Sequence, residues 1–128
     1  MADENKTDGK KVLLIEDEEM LSEMYKMKFE AEGFKFLHGK DGEEGIELAK
    51  NEKPDIILLD VIMPKMDGFA VLKELKKEAI TKGIKVILLT NLGQEEDVKK
   101  GKAMGANDYL VKANFTPAQV VAKVREVL

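Results

Sequence analysis

The chain of 128 residues carries 21 Lys and Arg, 25 Asp and Glu, one His and no Cys, which excludes disulfides, thiolate metal centres and cysteine nucleophiles together. Its net charge of −4 argues against a nucleic-acid surface. No apolar run approaches the roughly 18 residues of a membrane span, and the apolar share of 44% is that of one ordinary globular domain.

Residues 1–10, MADENKTDGK, have no apolar stretch, so they are not a signal peptide and are expected to form a disordered tail before a single domain over 11–128. Lys11–Ile15 (KVLLI) reads as a first strand and stops at the acidic run Glu16-Asp17-Glu18-Glu19. Met20–Glu32 carries Leu21, Met24, Tyr25 and Phe29 at helical spacing, and Gly33 stands where a helix stops. Met20, Met24 and Met27 on that helix are expected to fill the core. Phe34–His38 reads as a second strand, with His38, the single His, at its end on the surface. Asp41, with Glu44 three residues on, opens a helix that runs to about Asn51. Asp55–Leu59 (DIILL) is a third strand ending at Asp60, and Asp67 caps the helix of Phe69, Val71, Leu72 and Leu75. Ile84–Leu89 is a fourth strand ending at Thr90. It precedes a helix over Gln94–Met104 with Glu95, Glu96 and Asp97 at its positive end and Gly105 after it. Asp108–Val111 is a short fifth strand, and Thr116-Pro117-Ala118-Gln119 is a capping box for a last helix to about Val127.

Five strands thus alternate with five helices, and strands apolar on both faces belong inside a covered parallel sheet. Right-handed crossovers make this an α/β fold with a doubly wound sheet. Its ligand site is expected beyond the carboxyl ends of the strands. The residues there are Glu16 and Asp17, then Asp60, Thr90 and Lys112. Three carboxylates packed together repel, and a divalent cation relieves them. Oxygen ligands favour Mg²⁺, with Mn²⁺ second, over zinc.

In the pieces VLLIEDE, DIILLDVIMPKMDG, VILLT and DYLVK, in that order and spacing, the chain resembles a response-regulator receiver domain from about Lys10 to Leu128. The resemblance implies a flavodoxin-like sheet of order 2-1-3-4-5. It implies that Asp60 accepts a phosphoryl group from a histidine kinase or phosphotransfer protein. Glu16, Asp17, Asp60 and the backbone carbonyl of Ile62 would hold Mg²⁺, Thr90 and Lys112 would contact the phosphoryl oxygens, and Thr90 and Tyr109 would be the switch residues. The switched surface would be the fourth helix, fifth strand and fifth helix, read by a downstream protein target. Chemically, Lys112 offsets the developing charge and the metal removes the repulsion between carboxylate and phosphate.

With no output region after Leu128, the reading is a stand-alone receiver of chemotaxis or phosphorelay type. Such a protein is cytoplasmic, a monomer or weak phosphorylation-dependent dimer, without membrane or nucleic-acid contacts. It is a phosphoacceptor with self-phosphorylation and self-dephosphorylation only, not an enzyme in the ordinary sense. The alternatives are a degenerate receiver that only binds proteins and an aspartyl-nucleophile phosphohydrolase. The second lacks its acid, because Val61 and Ile62 follow Asp60, and the first is disfavoured by intact site positions. A flavin or nucleotide loop is excluded by the acidic run after the first strand.

Two positions depart from the family pattern. Lys112 is followed by Ala113 where the family has proline in a cis peptide, and Thr90 by Asn91 where it has a very small residue. A cis bond before a non-proline residue costs about 2.5–4 kcal/mol, so a trans Lys112–Ala113 bond is expected. Asn91 is expected to crowd the approach to Asp60 or to hydrogen-bond there. Ile62 and Leu92, two residues past Asp60 and Thr90, are expected to flank the phosphoryl site and, being apolar, to leave an attacking water unoriented.

Overall fold

The computed structural model describes residues 9–128. Strands β1 (Lys11–Ile15), β2 (Lys35–Gly39), β3 (Ile56–Leu59), β4 (Lys85–Thr90) and β5 (Asp108–Val111) alternate with helices α1 (Glu19–Ala31), α2 (Gly42–Glu52), α3 (Gly68–Lys77), α4 (Glu95–Ala103) and α5 (Pro117–Val127). The five strands form one parallel sheet in the order β2-β1-β3-β4-β5. Alternation along each strand splits the core into two layers. Leu13, Ile15, Ile57, Leu59, Val86 and Leu88 pack under α2, α3 and α4, with Val71, Leu72 and Leu75 as their main partners. Val12, Leu14, Ile56, Leu58, Ile87 and Leu89 pack under α1 and α5, against Tyr25, Phe29, Val120 and Val124.

The helix ends follow the polar signals of the sequence. Asp41 and Asp67 accept hydrogen bonds from the N–H groups of Glu44 (2.8 Å) and Ala70 (2.9 Å). Thr116 and Gln119 form the reciprocal box in front of α5. Gly33 and Gly105 end α1 and α4 at φ 93° and 104°, a backbone region that side chains with a Cβ disfavour. Of the expected tail, residues 1–8 lie outside the described residues. Gly9 donates to the Gly33 carbonyl and the Lys10 carbonyl accepts from Lys35, both at 2.9 Å, so these two already belong to the sheet edge.

One expectation fails on α1. The buried positions are Ser22, Tyr25 and Phe29, which places Met20, Met24 and Met27 on the outer side, 87%, 40% and 72% exposed. The methionines do not fill the core. They form an exposed apolar stripe at positions i, i+4 and i+7. Among the described residues no helix is long and apolar enough to cross a membrane.

Candidate functional site

Parallel strands deliver their carboxyl ends to one edge, and the site is built there. The Asp60 N–H donates to the Ile15 carbonyl (3.0 Å) and the Glu16 N–H to the Gly39 carbonyl (3.0 Å), so the ladder itself fixes where β1 and β3 release these acids. After Asp60 the chain doubles back. The Gly68 N–H bonds to the Val61 carbonyl at 2.8 Å, and a Cβ on Gly68 would lie 2.2 Å from the Asp60 carbonyl oxygen. Only glycine allows the first turn of α3 to close on the backbone of Asp60.

Glu16, Asp17, Glu18, Asp60, Ile62, Asn91 and Lys112 line an open cleft of about 290 Å³ at this edge. Glu16 and Asp60 are buried and Asp17 is exposed, and one carboxylate oxygen from each lies within 4.8 Å of the others. The Lys112 ammonium reaches in from the end of β5 and donates to Glu16 Oε1 at 2.5 Å and to Asp60 Oδ2 at 3.0 Å. The other carboxylate oxygens take backbone donors: the Ile62 N–H to Asp60 Oδ1 (3.2 Å) and the Glu18 N–H to Glu16 Oε2 (3.0 Å). Three carboxylates against one ammonium leave two formal negative charges in a set of hard oxygen donors. That is the charge and chemistry of a site for Mg²⁺ or Mn²⁺, so the residues present fit such an ion.

Burial sets the proton affinities here. It pushes the Glu16 carboxyl above the usual carboxylate range and the Asp60 charge adds to this, against the hydrogen bonds from Lys112 and Glu18. Burial also works against the Lys112 charge, but the hydrogen bonds and charges of Glu16 and Asp60 outweigh it and hold the ammonium above its ordinary value. The difference is one of company: Lys112 faces two carboxylates, and Glu16 faces one ammonium beside another carboxylate.

Doubly wound folds serve many functions, but this set of edge residues narrows the class, and the chain belongs to the response regulator receiver domains, a family matched over residues 12–125. It is therefore a module of two-component signalling. Among curated relatives it is 37% identical over 120 residues to the alkaline phosphatase synthesis transcriptional regulatory protein PhoP of Bacillus subtilis, covering 94% of this chain and 49% of that protein. It is 35% identical to the phosphate regulon transcriptional regulatory protein PhoB of Escherichia coli, covering 94% of this chain and 52% of that protein. The chain thus spans about half the length of these relatives. Among solved structures it is similar to the chemotaxis protein CheY4 of Vibrio cholerae, with TM-score 0.87 and 30% identity, covering 94% of this chain and 99% of that one. A second similar structure is the receiver domain of the Francisella response regulator 1452, with TM-score 0.85 and 32% identity over 93% of this chain and 96% of that one.

The structure brings Glu16, Asp17, Asp60, Ile62 and Lys112 into the cleft. Thr90 ends β4, fully buried, and its Oγ1 accepts from the Leu92 N–H at 3.3 Å. Leu92 does not flank the cleft. It packs against the core layer under α2, α3 and α4, and the residue that turns into the cleft is Asn91. Tyr109 is also away from the cleft, and it is buried at 7% exposure. Its hydroxyl donates to the Leu92 carbonyl, which ties β5 to the loop after Thr90.

Two contacts escaped the sequence reading, that of His38 with the Glu16 carbonyl and that of Asn91 with the Ala113 N–H. His38 is half-buried, not a surface residue: its Nε2 lies 2.6 Å from the Glu16 carbonyl oxygen and 3.0 Å from Ser22 Oγ. A carbonyl only accepts, so Nε2 carries the proton. The Lys112–Ala113 bond is trans, as the cost of a non-proline cis bond led one to expect, and the Ala113 N–H donates to Asn91 Oδ1 at 3.1 Å.

Proposed function

We propose that this receiver domain takes a phosphoryl group onto Asp60 from the phosphohistidine of a histidine kinase or phosphotransfer protein. The observation that carries the reading is the Asp60 carboxylate at the mouth of a three-acid pocket, bridged by the Lys112 ammonium to Glu16. An Asp60 carboxylate oxygen forms the new O–P bond as the N–P bond of the donor breaks. The electron pair of that bond returns to the imidazole nitrogen, which takes up a proton. Glu16, Asp17, Asp60 and the Ile62 carbonyl would hold Mg²⁺, which when bound offsets the repulsion between carboxylate and phosphate. The Ile62 N–H fixes the rotamer of Asp60, and Lys112 meets the charge that develops on the phosphoryl oxygens.

A protein donor must reach the same mouth. α1 begins one residue after Glu18 of the cleft, and Ile62 stands at the rim, 58% exposed. The stripe Met20, Met24 and Met27 therefore gives an apolar-faced donor a place to dock beside Asp60. On the other side Thr90 moves toward the added phosphoryl. The link from its loop through the Leu92 carbonyl to the Tyr109 hydroxyl carries that shift to the surface of α4, β5 and α5, where a downstream protein reads it.

The test is mass spectrometry after incubation with acetyl phosphate and Mg²⁺. One phosphoryl on Asp60 is expected, and none in Asp60→Asn. Labelling of the variant to the same extent overturns the assignment.

A further inference from the structure

The two departures from the family pattern meet in space. Lys112 opens a 3₁₀ turn, Lys112–Asn114, closed by the Phe115 N–H on the Lys112 carbonyl at 3.3 Å. The first N–H groups of such a turn have no acceptor within it. The Ala113 N–H finds one outside, in Asn91 Oδ1 at 3.1 Å, on the loop that follows Thr90. The peptide unit that joins Lys112 to Ala113 is therefore held at both ends, its oxygen by Phe115 and its N–H by Asn91. Proline at 113 would have no N–H to give, and alanine at 91 no oxygen to receive it. Each departure alone loses a partner, and together they form a donor–acceptor pair.

We infer that Asn91 is a positioning residue that latches the Lys112 loop to the Thr90 loop, holding the Lys112 ammonium between Glu16 and Asp60 with a trans bond in place of a cis-proline turn. Water can satisfy the exposed Ala113 N–H as well as Asn91 can, so the role of this bond is to select one loop conformation rather than to rescue a buried donor. Asn91 is anchored by its neighbour: Thr90 is the last residue of β4, paired with Val111 of β5 directly before Lys112. One side-chain bond thus joins two loops whose strands are already in register. This inference rests on the reading of Asp60 as phosphoacceptor only for its kinetic part.

Two measurements on the full chain decide it. Amide hydrogen exchange at Ala113 by NMR reads the latch directly. In Asn91→Ala it is expected to speed up about fivefold, as for one lost neutral hydrogen bond, and in Asn91→Asp, which keeps the acceptor, to stay protected. Labelling by acetyl phosphate at saturating Mg²⁺ reads the consequence. The rate constant in Asn91→Ala is expected to fall about fivefold while the Mg²⁺ affinity stays within about twofold, because no metal-site carboxylate is touched. Unchanged exchange overturns the latch. Faster exchange with an unchanged rate constant, or an equal loss of Mg²⁺ affinity, overturns the positioning of Lys112. If the wild-type protein takes no phosphoryl group at all, the phosphoacceptor reading fails, and the exchange data still uphold or overturn the latch.

Discussion

The two halves of the carboxyl edge are built to different tolerances. β1 and β3 deliver Glu16, Asp17 and Asp60, each released by a ladder hydrogen bond or the residue after one, with Gly68 closing on the Asp60 backbone. β4 and β5 deliver Thr90 and Lys112, and directly after each stands a departure, Asn91 and Ala113, joined to one another. One carboxylate oxygen from each of the three acids lies within 4.8 Å of the others, an arrangement set by the backbone of β1 and β3. A lysine has four rotatable carbons between backbone and charge, so its loop can be rebuilt provided something holds it. The acid half is set by the strand ladder and Gly68, and the loop of the cation half by the bonds of Phe115 and Asn91 to the Lys112–Ala113 peptide unit.

The comparison breaks most sharply at the nucleophile. Asp60→Asn is expected to reduce labelling by acetyl phosphate to background, seen as loss of the added phosphoryl mass. Next is Lys112→Met, which keeps the stem and deletes the charge. Loss of one group that stabilises developing charge costs about 10²–10³-fold in rate, and a fall in that range is expected in the labelling rate constant. A smaller fall than that from Asn91→Ala would place the cation half outside the chemistry.

Mg²⁺ should separate the halves in the other direction. An ion held by the folded pocket and not by the unfolded chain relieves carboxylate repulsion, so Mg²⁺ is expected to raise the melting temperature of the wild-type chain. Asp17→Asn is expected to remove most of that rise and Asn91→Ala to leave it, in thermal unfolding with and without the ion. An equal rise in Asp17→Asn and wild type would remove Asp17 from the ligand set.

Much of this was legible in the sequence because it rests on local chemistry. Asp41, Asp67 and Thr116 cap the helices they announce, Gly33 and Gly105 stop theirs, and the apolar strands give the covered parallel sheet, while its order comes from the family resemblance. The edge acids and Lys112 followed from where parallel strands end. What stayed hidden depends on rotation and reach. α1 carries two apolar stripes, Tyr25 with Phe29 and Met20 with Met24 and Met27, and spacing alone does not say which meets the sheet. The aromatic pair won: Phe29 stacks edge-on against Phe34 at 5.1 Å, inside the layer under α1 and α5. Counting from Thr90 puts Leu92 in the cleft, but the loop turns between them and presents Asn91 instead. The contact of His38 with the Glu16 carbonyl crosses from β2 to the end of β1, and only the register of the two strands reveals it.

A smaller effect follows from Ile62, the one apolar side chain in the cleft lining. A polar group there can orient water toward an aspartyl phosphate, and an isoleucine cannot. Ile62→Asn is expected to speed loss of the phosphoryl group several-fold, within the roughly 10²-fold that positioned proton-transfer groups provide. The change should leave stability nearly untouched, because Ile62 is more than half exposed. Leu92→Glu should instead destabilise the fold, since Leu92 packs on the core rather than lining the cleft. An Ile62→Asn protein with an unchanged phosphoryl half-life would show that the acid half does not control water.

The least effect is on the alkaline side, and it weighs Tyr109 and Lys112 against the rest of the chain. Burial raises the Tyr109 hydroxyl above its ordinary value of 10.0, with the charges of Asp97 and Asp60 adding to it. Burial raises Tyr25 likewise, and the carboxylates around Lys112 raise its ammonium above 10.5. All three groups hold their protons to higher pH in the folded chain than in the unfolded one. Above these ordinary values the unfolded chain therefore binds fewer protons, and stability falls as pH rises. The contribution is whole below pH 10 and is lost as pH climbs through the raised values. The melting temperature is expected to be level to about pH 9 and to decline beyond pH 10, with a shallower decline in Tyr109→Phe, which has no hydroxyl to ionise. Since Tyr109→Phe also gives up the bond to the Leu92 carbonyl, its melting temperature should start lower at pH 8, and the two curves should converge as pH rises. Parallel curves would mean that Tyr109 ionises alike in folded and unfolded chains. The hydroxyl would then be a packing contact with no charge linkage to Asp60.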